Sequence, residues 1–311
     1  MTQAKLDNQR DVVKNERRWG VDNQPYGSWE ERLQTLLFPE GHPYQHPILG
    51  SMEDLNRASL ADVSDFFAAH YAPNNAVLTI VGDFDPSAAQ ALVERYFGSI
   101  PANSAIPHAP SKLLEATFGA EMRETVLERV PVPRLYAACR TPAFGSASFT
   151  ALVVAMDLLG VGRASRLYRA LLREQQLAHS VSIFAFPEIG DAAIFVISAT
   201  ARPGIGHEVL EPAMWSEVER LTTQGPTDDE LERVRNLYAT GVEADLQRVG
   251  ERADRLSMYA CLLDEPERIN TEVSRYIEVD ADRVREALAV SLRPDHRAVL
   301  TYLPAEVPAR M

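Results

Sequence analysis

The chain has 311 residues, of which 46% are hydrophobic and 24% charged, the composition of an ordinary globular protein that is long enough for two domains. Its formal net charge of −13, with both signs spread along the chain, disfavours a nucleic acid as partner. No apolar run reaches the ~18 residues needed to span a bilayer, so we expect no transmembrane segment.

The first predicted element is an amphipathic helix that starts at Leu6 and places Val12 and Val13 on one face. It contains Glu16, a carboxylate surrounded by basic residues. On its own, this pattern is typical of a solvated helix face with salt bridges. The basic residues are Arg10, Lys14, Arg17 and Arg18.

The next predicted elements are three helices with polar N-caps. A turn cluster, VDNQPYG, leads to a helix at Trp29–Leu37, for which Ser28 is the predicted N-cap and Glu31 the capping-box residue. Ser51 and Ser59 are the predicted N-caps of two shorter helices.

Two histidines and two cysteines could suggest a metal site, but the sequence does not place them as metal ligands. The loop Phe38–Pro47 holds His42 and His46, and its prolines prevent the helix that would place both imidazoles on one face. Cys139 and Cys261 lie far apart in the chain, and we predict that both are buried as small apolar groups. The cysteines therefore do not indicate whether the protein resides in a reducing or an oxidising compartment.

The rest of the chain alternates between helical and strand periodicity. A proline-rich segment, Ser99–Pro110, is the best linker candidate, Pro187–Gly190 is a predicted turn, and Thr227 with Glu230 forms a predicted capping box. Helices are predicted at 87–97, 151–159, 164–176, 208–223, 227–247, 253–263 and 280–292, and strands at 76–81, 125–130, 134–140, 181–186, 192–200 and 298–303.

An internal repeat relates the two halves of the chain. Tyr71-Ala-Pro-Asn precedes Ala76-Val-Leu-Thr-Ile, and Leu292-Arg-Pro-Asp precedes Ala298-Val-Leu-Thr-Tyr. A repeat of about two hundred residues indicates two copies of one domain fold. The second copy is complete and the first shows only its latter half, so we predict that the first domain is incomplete.

Four blocks in order carry a resemblance to a known family: NQRDVVKNERR, DNQPYG, FPEGHPYQHPILGS and YAPNNAVLTIVGDFD. Together they resemble the pitrilysin or insulinase (M16) family of zinc metallopeptidases, in its small bacterial branch. The resemblance implies an α+β fold with two related domains, each an antiparallel sheet with helices packed on one face, as in mitochondrial processing peptidase. We place the incomplete, zinc-bearing domain at 1–110 and the second, catalytically silent domain at 111–311.

The resemblance also assigns candidate zinc ligands. The family's H-x-x-E-H motif supplies two histidine ligands and the glutamate that deprotonates water, and a later glutamate is the third protein ligand. That later glutamate corresponds to Glu16, and the acid that supports it seven residues earlier corresponds to Gln9. None of the seven histidines stands in an H-x-x-E-H frame, so we expect no catalytic residue within this chain and no tight binding of Zn²⁺ by it.

A second candidate site lies in the segment that starts at Gly162 and resembles the family's glycine turn and S-R-L-Y stretch. In many members an Arg and a following Tyr reach from the second domain to the substrate and the developing oxyanion. Arg173 corresponds to the Arg, and His179 stands one residue before the position of the Tyr. A neutral His can donate to an oxyanion, and the alternative is a helix-terminal histidine near a C-cap.

Three functions remain open. The first is a truncated zinc endopeptidase that acts on a peptide or small protein through a metal-activated water and is inactive as this chain alone. The second is a non-catalytic, peptide-binding subunit that pairs with a separate zinc-bearing chain, or a homodimer. The third is an unrelated α+β binding module. The compartment, bacterial periplasm or cytoplasm, is not determined by the sequence.

Overall fold

The computed structural model describes residues 2–107, 120–188 and 193–305. His108-Ala109-Pro110 of the predicted linker, Ile189 and Gly190 of the predicted turn, and Ala192 of a predicted strand lie outside these ranges, as does the predicted domain boundary. Contacts divide the chain into two units that are not continuous in sequence. Unit 1 comprises Met1–Lys14, Ser51–Ser111 and Leu237–Ser274, and unit 2 comprises Asn15–Gly50, Lys112–Asn236 and Arg275–Met311.

Helices form where apolar residues recur with helical spacing, and most predicted helices are present. The α-helices are α1 (Gln3–Arg17), α2 (Trp29–Leu37), α3 (Met52–Arg57), α4 (Leu60–His70), α5 (Pro86–Phe97), α6 (Ala147–Gly160), α7 (His207–Gln224), α8 (Asp228–Leu246), α9 (Val249–Leu263), α10 (Glu272–Ile277) and α11 (Ala281–Ser291). Two π-helices, Arg18–Asp22 and Tyr168–Glu174, interrupt the regular pattern.

Unit 2 is built on one five-stranded sheet. Its strands are β1 (Met122–Glu128), β2 (Arg134–Thr141), β3 (Ala178–Phe186), β4 (Ala193–Ala201) and β5 (Arg297–Pro304), in the order β1-β5-β2-β4-β3. Every pair is antiparallel except β1 with β5, which is parallel. The α+β prediction is therefore confirmed, with one parallel pair in an otherwise antiparallel sheet.

The core of unit 2 lies on both faces of this sheet. Helix α2 packs Leu33 and Leu37 against the face that carries Leu300 and Tyr302. The opposite face, which includes Val299, is also buried, and α6, α7 and α11 pack against the sheet as well. Burial of apolar side chains on both faces explains why β4 reads as a nearly continuous apolar run.

The caps show where local patterns hold and where they fail. The predicted N-cap Ser59 forms a full capping box with Asp62, and the hydroxyl of the predicted N-cap Ser51 accepts from the Asp54 N–H. Helix α2 begins as predicted, but Ser28 makes no capping hydrogen bond. Its hydroxyl instead pairs with the Tyr302 hydroxyl at 2.8 Å. The capping-box interpretation of Ser28 is wrong because a tertiary partner takes its side chain.

The predicted strand at 76–81 is not a strand in the described part of the chain. A strand requires a hydrogen-bonded neighbour, and none of the described residues pairs with this segment. Its contact within unit 1 is a side-chain hydrogen bond of 2.8 Å between Ser257 and Thr79. The prediction of a strand at 76–81 is therefore wrong for the described residues, because no described strand pairs with this segment.

The order of elements supports the internal repeat. Helices α1 to α4 lead to a 3₁₀ turn at Pro73–Asn75 and then to the segment 76–81. Helices α8 to α11 lead to a 3₁₀ turn at Pro294–His296 and then to β5. When the two proline-headed turns are matched, Leu78 corresponds to Val299 and Ile80 to Thr301, a shift of one residue from the match of identical letters.

The two cysteines differ in burial. Cys139 lies on β2 and is fully buried, as predicted, whereas Cys261 near the end of α9 is exposed. The prediction that Cys261 is buried is wrong, because residues 261 and 262 fall on the solvent face of α9 while Tyr259 faces inward.

Candidate functional site

Helix α1 carries the candidate ligand Glu16 and the candidate supporting residue Gln9. The two are seven residues apart, about two helical turns, so they lie on the same side of the helix. Both side chains are exposed. Within the described residues, Glu16 accepts no hydrogen bond and forms no ion pair, which leaves its carboxylate available to an external ligand.

Three of the four basic residues around Glu16 bind other partners. Arg17 donates to both carboxylate oxygens of Glu31 and, at 3.0 Å, to the Gly50 carbonyl. Arg18 donates to Asn15 Oδ1 at 2.8 Å. Arg10 donates to Asp7 Oδ1 at 2.7 Å and to backbone carbonyls in α3 and just after it. A salt-bridged helix face would predict ion pairs to Glu16, and the structure does not contain them among these residues.

The Arg17–Glu31 pair anchors the end of α1 to α2 within unit 2. The Arg17 side chain is only 13% exposed, and the hydrogen bonds from its guanidinium to Glu31 raise the pKa of Arg17 despite the opposing effect of burial. Glu16 is the neighbouring residue, so its backbone position is fixed by this partly buried ion pair. The sequence reasoning assigned Glu31 to a cap and therefore missed this role.

A π-helix, Arg18–Asp22, follows α1 directly and begins two residues after Glu16. It leaves Trp19 77% exposed. π-helical turns are rare and often occur at functional sites, because the extra residue per turn redirects side chains. This geometry has no signal in the apolar periodicity and was not predicted.

The described residues do not complete a metal site. Among residues 2–107, 120–188 and 193–305, no three His, Cys, Asp or Glu side chains are placed so that they could hold a metal ion. His42 illustrates the point: it is fully buried, stacks on Phe38, and its Nδ1 accepts from the Tyr44 N–H at 3.1 Å. Burial lowers the pKa of His42, with a further contribution from the charge of Arg140. Since catalytic zinc takes three protein ligands, Glu16 is one candidate ligand and not a site.

Arg173 lies on the second π-helix, Tyr168–Glu174. With Arg169 and Glu174 it lines a shallow depression of about 330 Å³. In the described part of the chain, neither the Arg169 nor the Arg173 guanidinium forms a hydrogen bond or an ion pair. Two such guanidinium groups can bind a carboxylate or a peptide carbonyl. Arg169 was missed by sequence reasoning, although its spacing of four residues from Arg173 places both on one helix face.

His179 is the extra residue of a β-bulge. Ala178 pairs with Ala201 and Ser180 pairs with Thr200, so His179 has no partner in the ladder. Its side chain is exposed. The alternative of a helix-terminal histidine is wrong, because the residue belongs to β3. Bulges are common beside active sites, where they redirect a side chain.

Arg202 holds the segment that connects Arg173 to His179. Its guanidinium donates to the Leu172 carbonyl at 3.1 Å, to Gln176 Oε1 at 3.1 Å and to the Ala178 carbonyl at 3.2 Å. Gln176 has a φ of 53°, a left-handed backbone conformation that residues other than glycine rarely adopt. Arg202 thus fixes a strained connection, and no sequence motif identified it.

These elements can now be compared with known proteins. Residues 57–238 match the family described as the peptidase M16 inactive domain. The chain belongs to the M16 peptidase family.

Named zinc proteases are among the similar sequences. The zinc protease PqqE of Helicobacter pylori is 28% identical over 229 residues, which are 73% of this chain and 51% of the relative. An uncharacterized zinc protease of Mycobacterium tuberculosis is 26% identical over 248 residues, 80% of this chain and 56% of the relative. The chain therefore spans about half the length of the relatives it matches.

Solved structures show the same fold. A protease from Helicobacter pylori superposes with a TM-score of 0.91 and 22% identity, over 98% of this chain and 73% of that one. A peptidase M16 inactive domain from Pseudomonas fluorescens superposes with a TM-score of 0.79 and 20% identity, over 99% of this chain and 73% of that one. At these identities the likeness establishes the fold alone. No helix among the described residues is long and apolar enough to cross a membrane.

Proposed function

We propose that the complete protein is a zinc-dependent endopeptidase and that this chain contributes Glu16 as one of its zinc ligands. The observation that carries the proposal is the unpaired, exposed Glu16 carboxylate at the anchored end of α1, beside Arg10, Arg17 and Arg18, which bind other partners. A structural surface glutamate would be expected to use those neighbours. Bound zinc would supply a water of lowered pKa that attacks a peptide carbonyl.

This chain's own residues have distinct proposed roles. Gln9 supports Glu16 with an amide, which can hydrogen bond but carries no charge. Arg173 binds the peptide substrate, and the His179 N–H donates to it or to the developing oxyanion. Glu16, Asn15–Gly50 and Arg173 all belong to unit 2, whereas Gln9 belongs to unit 1. The domain limits 1–110 and 111–311 remain part of the proposal.

The chain alone is proposed to be inactive. One carboxylate cannot hold catalytic zinc tightly, because three protein ligands are needed. The other ligands and the general base would come from the part of the complete protein that this chain does not match; the relatives are about twice as long as the matched region.

A second candidate is a non-catalytic, peptide-binding subunit that pairs with a zinc-bearing chain or with a second copy. The match to a family described as an inactive domain favours it. The available Glu16 carboxylate argues against it, since a silent subunit needs no ligand at this position. Co-purification with a separate chain that bears H-x-x-E-H would support this second candidate.

The test compares the complete protein with the 311-residue chain by zinc content and by hydrolysis of a peptide library. We expect stoichiometric zinc and hydrolysis for the complete protein and neither for the chain. In the complete protein, Glu16→Gln should weaken zinc binding by more than about a hundredfold, since losing even a residue that supports a ligand weakens it 10–100-fold. Asp11→Asn is the matched control, because Asp11 is another exposed acid on α1.

The same variants distinguish the two candidates. Full zinc retention by Glu16→Gln would rule out the ligand role, and hydrolysis by the chain alone at the rate of the complete protein would rule out the proposed inactivity. Gln9→Ala should weaken zinc binding by about tenfold if the amide supports the ligand.

A further inference from the structure

A cavity of about 280 Å³ lies between α6 and α11, within unit 2. On α11 it is lined by a row of residues spaced four apart, Arg283, Ala287 and Ser291, and by a second row, Glu286 and Val290. At about 30 Å³ for each water molecule, the cavity has room for about nine waters or for one small organic molecule. None of the residues that line it is a candidate for binding zinc or peptide.

The first turn of α6 lies at the Ser291 end of the cavity. Strand β2 runs antiparallel to β5, and Cys139 pairs with Arg297. Since α11 ends shortly before Arg297 and α6 begins shortly after β2, the end of α11 and the start of α6 lie at the same end of the sheet. Ala147 and Ser148 of this first turn line the cavity.

Ser291 is a buried polar residue whose hydroxyl has no partner among the described residues. It is 3% exposed, and its hydroxyl forms no hydrogen bond in this part of the chain. Buried hydroxyls are nearly always hydrogen-bonded, because an unpaired one costs free energy. The usual acceptor in a helix is the carbonyl four residues earlier, which Thr150 and Thr222 use. Ser291 instead lines the cavity, where its hydroxyl can donate to a bound molecule.

The start of α6 adds further unpaired donors at the same end. The Ser146 hydroxyl accepts from the Phe149 N–H, but the N–H groups of Ala147 and Ser148 form no hydrogen bond within the described residues. Helix α6 has 14 residues, and the N-terminus of such a helix carries about half of a positive elementary charge. These N–H groups and the Ser291 hydroxyl therefore favour an anionic oxygen group at this end.

The opposite end of the cavity carries one charge of each sign. Arg283 and Glu286 lie one turn apart on α11, and in the described part of the chain neither side chain forms a hydrogen bond or an ion pair. A guanidinium binds a carboxylate, and a carboxylate binds an ammonium group. This end therefore fits a group that carries both charges, as the α-carbon of an amino acid does. The lining between the two ends is apolar and includes Ala151 and Ala287.

We propose that this cavity binds an acidic amino acid, with glutamate as the member that fits it. Arg283 binds the α-carboxylate and Glu286 binds the α-ammonium group. The N–H groups of α6 and the Ser291 hydroxyl bind the side-chain carboxylate, and the apolar lining covers the two methylene groups.

The spacing of the polar ends supports glutamate. Arg283 and Ser291 are eight residues apart, so they are separated by about 12 Å along the helix axis. Hydrogen bonds of about 3 Å at each end leave about 6 Å, which a chain of four C–C bonds of about 1.5 Å can span. The acid at Glu286 disfavours a plain dicarboxylate, and the unpaired donors at the start of α6 disfavour an amino acid with an apolar side chain.

Calorimetric titration of the 311-residue chain with L-glutamate tests this inference. We expect saturable binding at one site with a Kd of about 1 mM or below, the affinity of a modest ligand with ten non-hydrogen atoms. Glutarate lacks the ammonium group and L-glutamine lacks the side-chain charge. Each should bind at least about tenfold more weakly, because each leaves a charged group of the cavity without its partner.

Variants at the two ends test the individual contacts. Arg283→Ala should weaken glutamate binding at least about tenfold, and Ser291→Ala should weaken it about threefold to tenfold. Arg285→Ala is the matched control, since Arg285 lies on the same helix, pairs with Asp282 and does not line the cavity. Ser291→Ala removes an unpaired hydroxyl and leaves no other group unpaired, so it should keep the melting temperature of the free chain and lose only the increase that glutamate causes.

Glu286→Gln gives a readout that a structural role would not move, because it should change the preference between two ligands. The substitution removes the partner of the ammonium group and also the repulsion of a second carboxylate. Glutamate should bind about tenfold more weakly and glutarate more tightly, so that their Kd values come within about threefold of each other.

Three results would overturn the proposal. One is the absence of saturable binding at glutamate concentrations up to about 10 mM. Another is glutarate or L-glutamine binding as tightly as glutamate does. The third is native glutamate affinity in both Arg283→Ala and Ser291→Ala, which would place the ligand elsewhere on the chain. None of these readouts depends on zinc or on peptide hydrolysis.

Discussion

Arg166 and Glu230 form a two-point ion pair: Arg166 Nε and Nη2 donate to the two Glu230 oxygens at 2.9 and 2.7 Å. The side chains are 7% and 15% exposed. Glu230 also accepts from the Thr227 N–H at 2.9 Å, and the Glu230 N–H donates to the Thr227 hydroxyl at 3.2 Å. The predicted capping box is thus confirmed, and the same carboxylate joins the start of α8 to the segment that leads to Arg173.

This arrangement predicts acid sensitivity. Burial alone would raise the pKa of Glu230, but the hydrogen bonds from Arg166 and Thr227 and the charge of Arg166 lower it to about 2. A depressed carboxyl pKa stabilises the folded state above the unfolded value and loses that contribution as the pH falls from about 4.5 to about 2. After a discount for solvent screening, we expect the free energy of unfolding to fall by about 1–2 kcal/mol over this pH range. Urea unfolding at several pH values measures this loss, and Glu230→Gln should abolish it.

Arg166→Ala provides the complementary test. It leaves a largely buried carboxylate without its partner, so the free energy of unfolding at pH 7 should fall by about 3 kcal/mol. The control is Arg285→Ala, which removes an exposed ion pair with Asp282 and should change the free energy of unfolding by less than about 0.5 kcal/mol. Equal effects of the two substitutions would mean that the Arg166–Glu230 pair is no stronger than a surface pair.

Prediction from sequence succeeded where local chemistry decides the structure and failed where distant partners do. The N-cap at Ser59, the capping box at Thr227 and the helix at Trp29–Leu37 depend on neighbours in the sequence. Ser28 failed as a cap because Tyr302, far along the chain, takes its hydroxyl.

The candidate site divides in the same way. Glu16 and Arg173 were located by resemblance, which records the family's function and not a local pattern. The π-helices, the bulge at His179 and the role of Arg202 were not predicted. Each depends on one extra residue in a helix or strand, or on hydrogen bonds across the fold, and apolar periodicity carries no information about either.

The difference in cysteine burial predicts one reactive thiol in the native chain. Burial raises the pKa of the Cys139 thiol, whereas Cys261 is exposed. Ellman's reagent should modify one thiol rapidly and the second at least about a thousandfold more slowly, since Cys139 reacts only when its sheet opens. Cys261→Ser should remove the rapid phase and leave the slow one. Two rapid thiols would show that β2 is not part of a stable core.

A partly buried acid in α6, Asp157, predicts the opposite pH effect on stability. Tyr276, 1% exposed, donates to Asp157 Oδ2 at 2.5 Å. Burial raises the pKa of Asp157, and the Tyr276 hydrogen bond and the charge of Arg233 offset this only in part. A raised carboxyl pKa favours the folded state at low pH and costs stability as the pH rises through the folded value.

Asp157→Asn should therefore gain stability relative to the native chain as the pH rises. Tyr276→Phe should lose about 1–3 kcal/mol of stability because the partly buried carboxyl loses its donor. Chemical denaturation at several pH values measures both. A pH-independent difference for Asp157→Asn would show that the carboxyl titrates normally in the folded chain.

The hydrogen bonds of Arg202 predict that it positions the candidate substrate-binding residues. Arg202→Ala removes the donors to Leu172, Gln176 and Ala178, and Arg202→Lys cannot restore them because a single ammonium does not span three acceptors. In the 311-residue chain, amides 172–180 should exchange faster in both variants. Arg248→Ala, which removes exposed pairs with Asp245 of α8 and Glu251 of α9, should leave them unchanged.

In the complete protein the proposed peptidase activity adds a second readout for Arg202. Both variants should lower kcat/KM by tenfold to about a hundredfold while zinc content and the exchange of β5 amides stay native, because a misplaced side chain costs activity without a change in the metal site. A loss of zinc together with the activity would instead indicate general unfolding. Native kcat/KM with accelerated exchange at 172–180 would mean that Arg173 and His179 do not bind the substrate.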